Sequence, residues 1–261
     1  MNVRRTLVIV VVLALFALPV FAQENDTNTV TFNGFSISFS DELATNVNVA
    51  QVAGETTEGD APFWLEIAHT QFSLYSTFPV PEGVIDPIAS IRFYDTADFG
   101  GNEFVEAELA ELKALLEAHP DLAGYLVSAQ NLSEGTLPFM PLFPAAQVLR
   151  AKIEYVETDA VAGVRYITMY SQAAEPLTSR DLMVTFQGLS LDGTTYVMAL
   201  MPLETTLFGD ELPEDFDWDE FIEGLNDYIN ESAQLIDEAP AEAFSPALGL
   251  FDALVQSISL P

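Results

Sequence analysis

The chain of 261 residues contains no cysteine. Disulfides, thiolate metal sites, iron–sulfur clusters and thiol nucleophiles are therefore excluded, and the fold must rely on its own core. Cations are nearly as scarce: 8 Lys and Arg stand against 40 Asp and Glu, a formal net charge of −32. From Asp181 to the C-terminus there is no Lys, Arg or His at all. Such a polyanion is repelled by nucleic acid and by anionic headgroups, so neither is expected as a partner. There are two histidines, His69 and His119, and no HExxH, GxSxG, GxGxxG or Walker-type loop. The common metalloprotease, serine-esterase and nucleotide-binding chemistries thus lack their signatures.

After the first 22 residues no apolar run is long enough to span a membrane. Residues 1–22 themselves have the pattern of a secretory signal peptide. Arg4 and Arg5 form its basic region, Leu7–Leu18 its apolar region, and Val20-Phe21-Ala22 a cleavage site before Gln23. A retained anchor is the alternative, but Leu7–Ala22 is short for a span of about 20 residues. No cysteine follows the apolar run, so lipoprotein anchoring is excluded. Cleavage leaves 239 residues, with 23–29 expected as a disordered polar leader and 30–261 as a single domain.

The best-specified stretch is Arg165–Leu203. Val164–Gln172, Asp181–Ser190 and Thr195–Leu203 read as three antiparallel strands. Asp192-Gly193 predicts a type I′ turn between the last two, and Gly188 a bulge in the middle one. Both faces of Thr195–Leu203 are apolar, as in a central strand covered on each side. Ala146–Glu157 adds a fourth strand, with Leu149, Ala151, Ile153 and Tyr155 inward and Arg150, Lys152 and Glu154 outward. Asp159–Gly163 is expected to turn it into the meander.

Upstream, Asn33-Gly34 signals a hairpin between Val30–Phe32 and Phe35–Phe39. Val47–Gln51, Phe63–Phe78 and Ile88–Tyr94 are further strand candidates, the second expected to pair near that hairpin. Glu103–Ala118 carries Leu109, Leu112, Leu115 and Leu116 on one helical stripe, and His119-Pro120 ends it. Asp121–Ala129 predicts a second short helix. Leu137–Pro144 holds three prolines and crosses extended, its apolar side chains sealing the core. The acidic segment 204–220 precedes a helix with Asp217 as N-cap and Glu220 three residues on. Ala239–Phe244 reads as a linker, and Ser245-Pro246 as the start of a last helix running to about Ile258.

Candidate chemistry is thin. Asp215, Asp217 and Asp219 match the first three ligands of a calcium loop. Glu220 and Asn226, however, stand where its glycine and closing glutamate belong, so a standard EF-hand is rejected. An acidic helix start complementing the helix dipole is the simpler account, with weak calcium binding as the alternative. His69 and His119 lack the partner residues of metal or catalytic sites and are expected to be structural. Trp64, Tyr75, Tyr94, Tyr125 and Tyr170 are expected in the core rather than as a sugar platform. A glycosidase-type pair among the carboxylates has no sequence mark that singles it out.

The chain resembles a family of uncharacterised exported bacterial proteins. The resemblance is carried by Leu137–Pro144, Ala145–Val156, Gly163–Gln172, Asp181–Leu203 and Phe251–Leu260, with the FQGLSLDG–YVMA portion most specific. It implies export and one α+β domain, and brings no activity and no site residues. At the level of fold, the early hairpin, later meander and closing helix are similar to the PsbP-like fold of photosynthetic extrinsic subunits. The acidic stretch Asp210–Asp219 departs from the pattern. The expectation is an α+β domain: an antiparallel sheet, made of an N-terminal hairpin plus a four-stranded meander, with helices packed on it. The expected role is a non-catalytic binding or interaction module of the cell envelope or extracellular space, its partner a protein or an envelope ligand. Alternatives are a carboxylate-dependent hydrolase of glycan-type substrates and a calcium-dependent acidic module.

Overall fold

A computed structural model describes residues 27–55, 65–76, 87–126, 136–212 and 216–261. Residues 1–22, expected from the sequence to be a signal peptide, lie outside the described residues, as do Trp64 and Asp215. The fold is α+β and antiparallel. Its main sheet runs β3 (Asn46–Val52), β4 (His69–Tyr75), β5 (Ala89–Asp95), β9 (Thr195–Thr205), β8 (Leu182–Ser190), β7 (Val161–Ser171), β6 (Ala146–Glu157). The two-residue β10 (Phe244–Ser245) pairs with the end of β9. Two meanders, β3–β5 and β6–β9, are thus joined through the β5–β9 pair. The hairpin β1 (Thr27–Phe32) and β2 (Phe35–Ser40) forms a separate small sheet.

Side chains alternate between two cores. One lies under the hairpin, α2 (Trp218–Glu238) and α3 (Leu248–Gln256), and includes Ile37, Phe39, Phe72, Ile91, Phe186, Val197, Ile229 and Phe251. The other lies under α1 (Glu103–Ala118) and the segment 137–143, and includes Tyr94, Leu112, Phe139, Met140, Tyr166, Tyr196 and Met198. β9 therefore has apolar side chains on both faces because both faces are roofed. Ser257, just past α3, ties that helix to the hairpin: its hydroxyl donates to Ser38 O at 2.9 Å and accepts from Ser38 N–H at 2.7 Å. Among the described residues no helix is long and apolar enough to cross a membrane.

Several local expectations are corrected. At the β8–β9 turn Gly193 has φ +72°, but Asp192 does not have positive φ, so the turn is not type I′. Gly193 N–H instead closes on Ser190 O at 2.8 Å, and the Asp192 carboxylate accepts from Ser190 Oγ, Thr194 N–H and Thr194 Oγ1. Asn33 and Gly34 do both have positive φ, as a type I′ turn requires. Gly188 marks no bulge, since the pairing runs unbroken through it. It faces Gly163 across the strands, and a Cβ at either would meet the Phe186 ring at 2.4–2.6 Å. The glycine pair makes room for that ring.

The bulges sit in β6 instead, between Gln147 and Leu149 and between Ala151 and Glu154. Lys152 there has φ +48°, and its N–H donates to Asp237 Oδ1 of α2 at 2.7 Å. Each extra residue shifts the alternation. Leu149 and Ala151 face one core while Ile153 and Tyr155 face the other, and Arg150 is buried rather than outward. β4 pairs with β3 and β5, and its Phe72 and Leu74 share a core with Ile37 and Phe39 of the hairpin. Thr27–Thr29, assigned to the leader, pair in β1. The turn before β7 is tighter than expected, because Val161 already pairs with Ser190. Within Asp121–Ala129 the described part is a single 3-10 turn, Leu122–Tyr125. Ser245 belongs to β10, and Ala247 precedes α3.

Candidate functional site

The face of the sheet under α1 carries an unusual load of buried polar side chains. Gln147 on β6 and Gln187 on β8 both reach towards the extended segment 137–140. Leu137 N–H donates to Gln147 Oε1 at 2.9 Å, and Gln147 Nε2 donates back to Leu137 O at 3.2 Å. Gln187 treats Met140 in the same way, at 3.0 and 3.2 Å. Each amide presents an acceptor and a donor side by side, as a neighbouring strand would, and so satisfies a segment that its prolines keep out of the sheet. Tyr166 OH donates to Pro138 O at 2.8 Å, and Tyr196 OH to Gln187 Oε1 at 2.7 Å. Arg150, only 2% exposed, braces the Gln147 clamp: its Nη1 donates to Gln147 Oε1 at 3.1 Å and its Nε to Tyr125 O at 3.0 Å.

Between α1 and the pinned segment opens a cleft of about 410 Å³. Phe104, Leu137, Phe139, Leu142, Phe143 and Tyr170 give it largely aromatic and aliphatic walls, and Gln147 and Glu108 supply polar groups. The volume falls within the range of small-molecule sites, which pair apolar walls with a few placed polar groups. Glu108 is the one carboxylate among the described residues that line it. Phe139 N–H donates to Glu108 Oε2 at 2.8 Å, which fixes the carboxyl against the wall. Burial is the main cause that pushes Glu108 up to about 7. The Phe139 hydrogen bond opposes that shift and the nearby Glu111 adds to it. The carboxyl is therefore poised to gain or lose a proton near neutrality.

The tyrosines are not poised. Burial drives Tyr166, Tyr170 and Tyr196 far up from the ordinary phenol value, and the charge of Glu108 adds to each. They serve as fixed hydroxyls, not bases. A larger opening of about 860 Å³ lies at the other end, between residues 157–160, the β8–β9 turn and the C-terminal residues. Among the described residues that line it there is neither a buried titratable group nor a comparable polar framework, so volume does not decide between them.

Of the residues singled out in the sequence, Tyr170 and part of the run 137–144 line this cleft, whereas the calcium-loop and histidine candidates lie elsewhere. Asp217 is the N-cap of α2, its Oδ1 accepting from Asp219 N–H and Glu220 N–H at 3.0 Å each. Asp219 is exposed on the first turn, and Asp215 lies outside the described residues. Among the described residues no group of three or more His, Asp or Glu is placed to hold a metal. His69 is buried beside Ile67 O at 2.7 Å and Gln71 Oε1 at 3.1 Å. His119 caps α1 with φ +45°, its ring stacked on Tyr155 at 3.8 Å. Glu108 was invisible in the sequence, being one acid among many on an Ala/Glu-rich helix. The visible signal was the proline-broken apolar run that covers it. No protein-family model matches the chain, and no curated protein matches it.

Proposed function

We propose that the protein is an exported, non-catalytic binding module of the cell envelope or extracellular space, and that the Glu108 cleft takes a small organic cation with an apolar body. Export rests on the basic, apolar and small-residue pattern of residues 1–22, and the likeness to exported bacterial proteins agrees with it. The ligand class rests on one observation: a single half-buried carboxyl between apolar walls, in a protein of net charge −32. The long-range field concentrates cations, the walls favour an aromatic or alkyl body, and ionised Glu108 pairs with an ammonium. The hydrolase alternative needs two facing carboxyls roughly 5–9 Å apart, whereas the described lining offers one. The calcium alternative depends on Asp215 and on Asp217, whose Oδ1 is engaged in capping a helix.

Phenethylamine, an aromatic ring on a short alkyl ammonium, is a suitable probe. Ligand-observed NMR at pH 8 should show saturable binding that is lost in Ala107→Trp. Ala107 is exposed at the cleft mouth, so the substitution fills the cleft without entering the core. Equal binding by that variant would place the amine elsewhere and sink the proposal.

A further inference from the structure

The apolar stripe of α2 is longer than the body it packs on. Trp218, Ile222, Leu225, Ile229, Ala233 and Ile236 recur at helical spacing along one face. From Ile229 onward the stripe is buried in the core. Leu225 is half-buried, and the first two positions overhang: Trp218 is 49% and Ile222 52% exposed. The overhang is held in shape by an aromatic chain. Phe216 lies 5.0 Å from Trp218 and 5.5 Å from Phe221, and Phe221 lies 5.3 Å from Tyr228. Tyr228 OH accepts from Leu177 N–H at 2.8 Å, which anchors the chain to the loop before β8.

Carboxylates flank this surface: Asp217, Asp219, Glu220 and Glu223. Among the described residues none of the four is in an ion pair, and Arg180 lies 3.5 Å from Glu204. We infer that the overhanging face of α2 docks a basic amphipathic segment of another protein. Its apolar side chains would continue the stripe over Trp218 and Ile222, and its Lys or Arg side chains would meet the flanking carboxylates. A Trp face also attracts such cations directly. A second copy of the chain is disfavoured as occupant, because two bodies of −32 would bring like carboxylates together. An anionic membrane is disfavoured for the same reason.

The test uses an 18-residue Lys/Leu amphipathic peptide and its Glu/Leu counterpart, added to the Trp64→Phe protein so that fluorescence reports Trp218 alone. The Lys peptide should shift Trp218 emission to the blue and bind at least tenfold more tightly than the Glu peptide. Raising salt should weaken that binding strongly. Trp218→Ala with Ile222→Ser, both about half exposed, should leave the protein folded, as read by circular dichroism, and weaken binding at least tenfold, measured on a labelled peptide. Asp219→Asn with Glu223→Gln should weaken it several-fold while the aromatic surface stays intact. Unchanged affinity in the apolar variant would overturn the inference. So would equal binding of the Glu peptide, or a blue shift produced by neutral phosphatidylcholine vesicles or by protein concentration instead of the peptide.

Discussion

Glu108 loses its proton near 4.5 in the unfolded chain and holds it to about 7 in the fold. Between those pH values the folded state binds more protons, so stability falls as pH rises through this window, and the loss is complete above about pH 7. The full effect is at most roughly 3 kcal/mol. Glu108→Gln keeps an acceptor for Phe139 N–H and removes the charge. Urea unfolding should find the variant about 1–3 kcal/mol more stable than the parent at pH 8 and nearly equal at pH 4.5; an equal gap at both would contradict the assignment. Two glycines separate space from conformation. A Cβ on Gly163 would sit 2.4 Å from the backbone oxygen of Gln187, whereas one on Gly193 meets nothing and is opposed only by φ +72°. Gly163→Ala should therefore cost about 3 kcal/mol or more and Gly193→Ala about 1 kcal/mol, again by urea unfolding. The need for glycine at Asn33-Gly34 and Asp192-Gly193 was legible, because turns are local. Gly163 and the burial of Arg150 were not, because each depends on a strand or bulge that alternation alone does not reveal.

At the scale of elements, α1 was readable to its ends, since its stripe and the following proline are local signals. The fixing of residues 137–140 was not readable, because the two glutamines that hold them come from separate strands. Gln187→Leu leaves Met140 N–H, Met140 O and Tyr196 OH without that partner in a buried site. A cost of about 3 kcal/mol is expected, with faster hydrogen exchange at the Met140 amide. Unchanged exchange there would mean that packing, not the amide clamp, holds the segment. The start of α3 is hidden for a similar reason: Ser245 and Pro246 read as a helix start, but Ser245 is taken by pairing with Glu204 of β9.

Over the whole molecule, the C-terminal meander was legible from its alternation, and so was the α+β class. The β5–β9 pair that merges both meanders into one sheet was not, because it joins segments about a hundred residues apart. That merger leaves a broad sheet with two faces to roof. The helices and hairpin roof one, while α1 and a proline-broken segment roof the other and enclose the cleft. The acidic balance acts at this scale too. Of the six cations beyond Arg5, Arg150 is buried against neutral partners, and Arg92, Arg165 and Arg180 lie beside carboxylates. The surface is left open to cationic ligands.

The pH dependence of phenethylamine affinity tests the cleft most directly. The ammonium stays charged between pH 6 and 8, so any change over that range reports the protein. With Glu108 ionising near 7, affinity should rise about tenfold from pH 6 to pH 8, and Glu108→Gln should bind weakly at both. Affinity that is flat with pH, or retained in Glu108→Gln, would contradict the reading of this cleft as a cation-binding site.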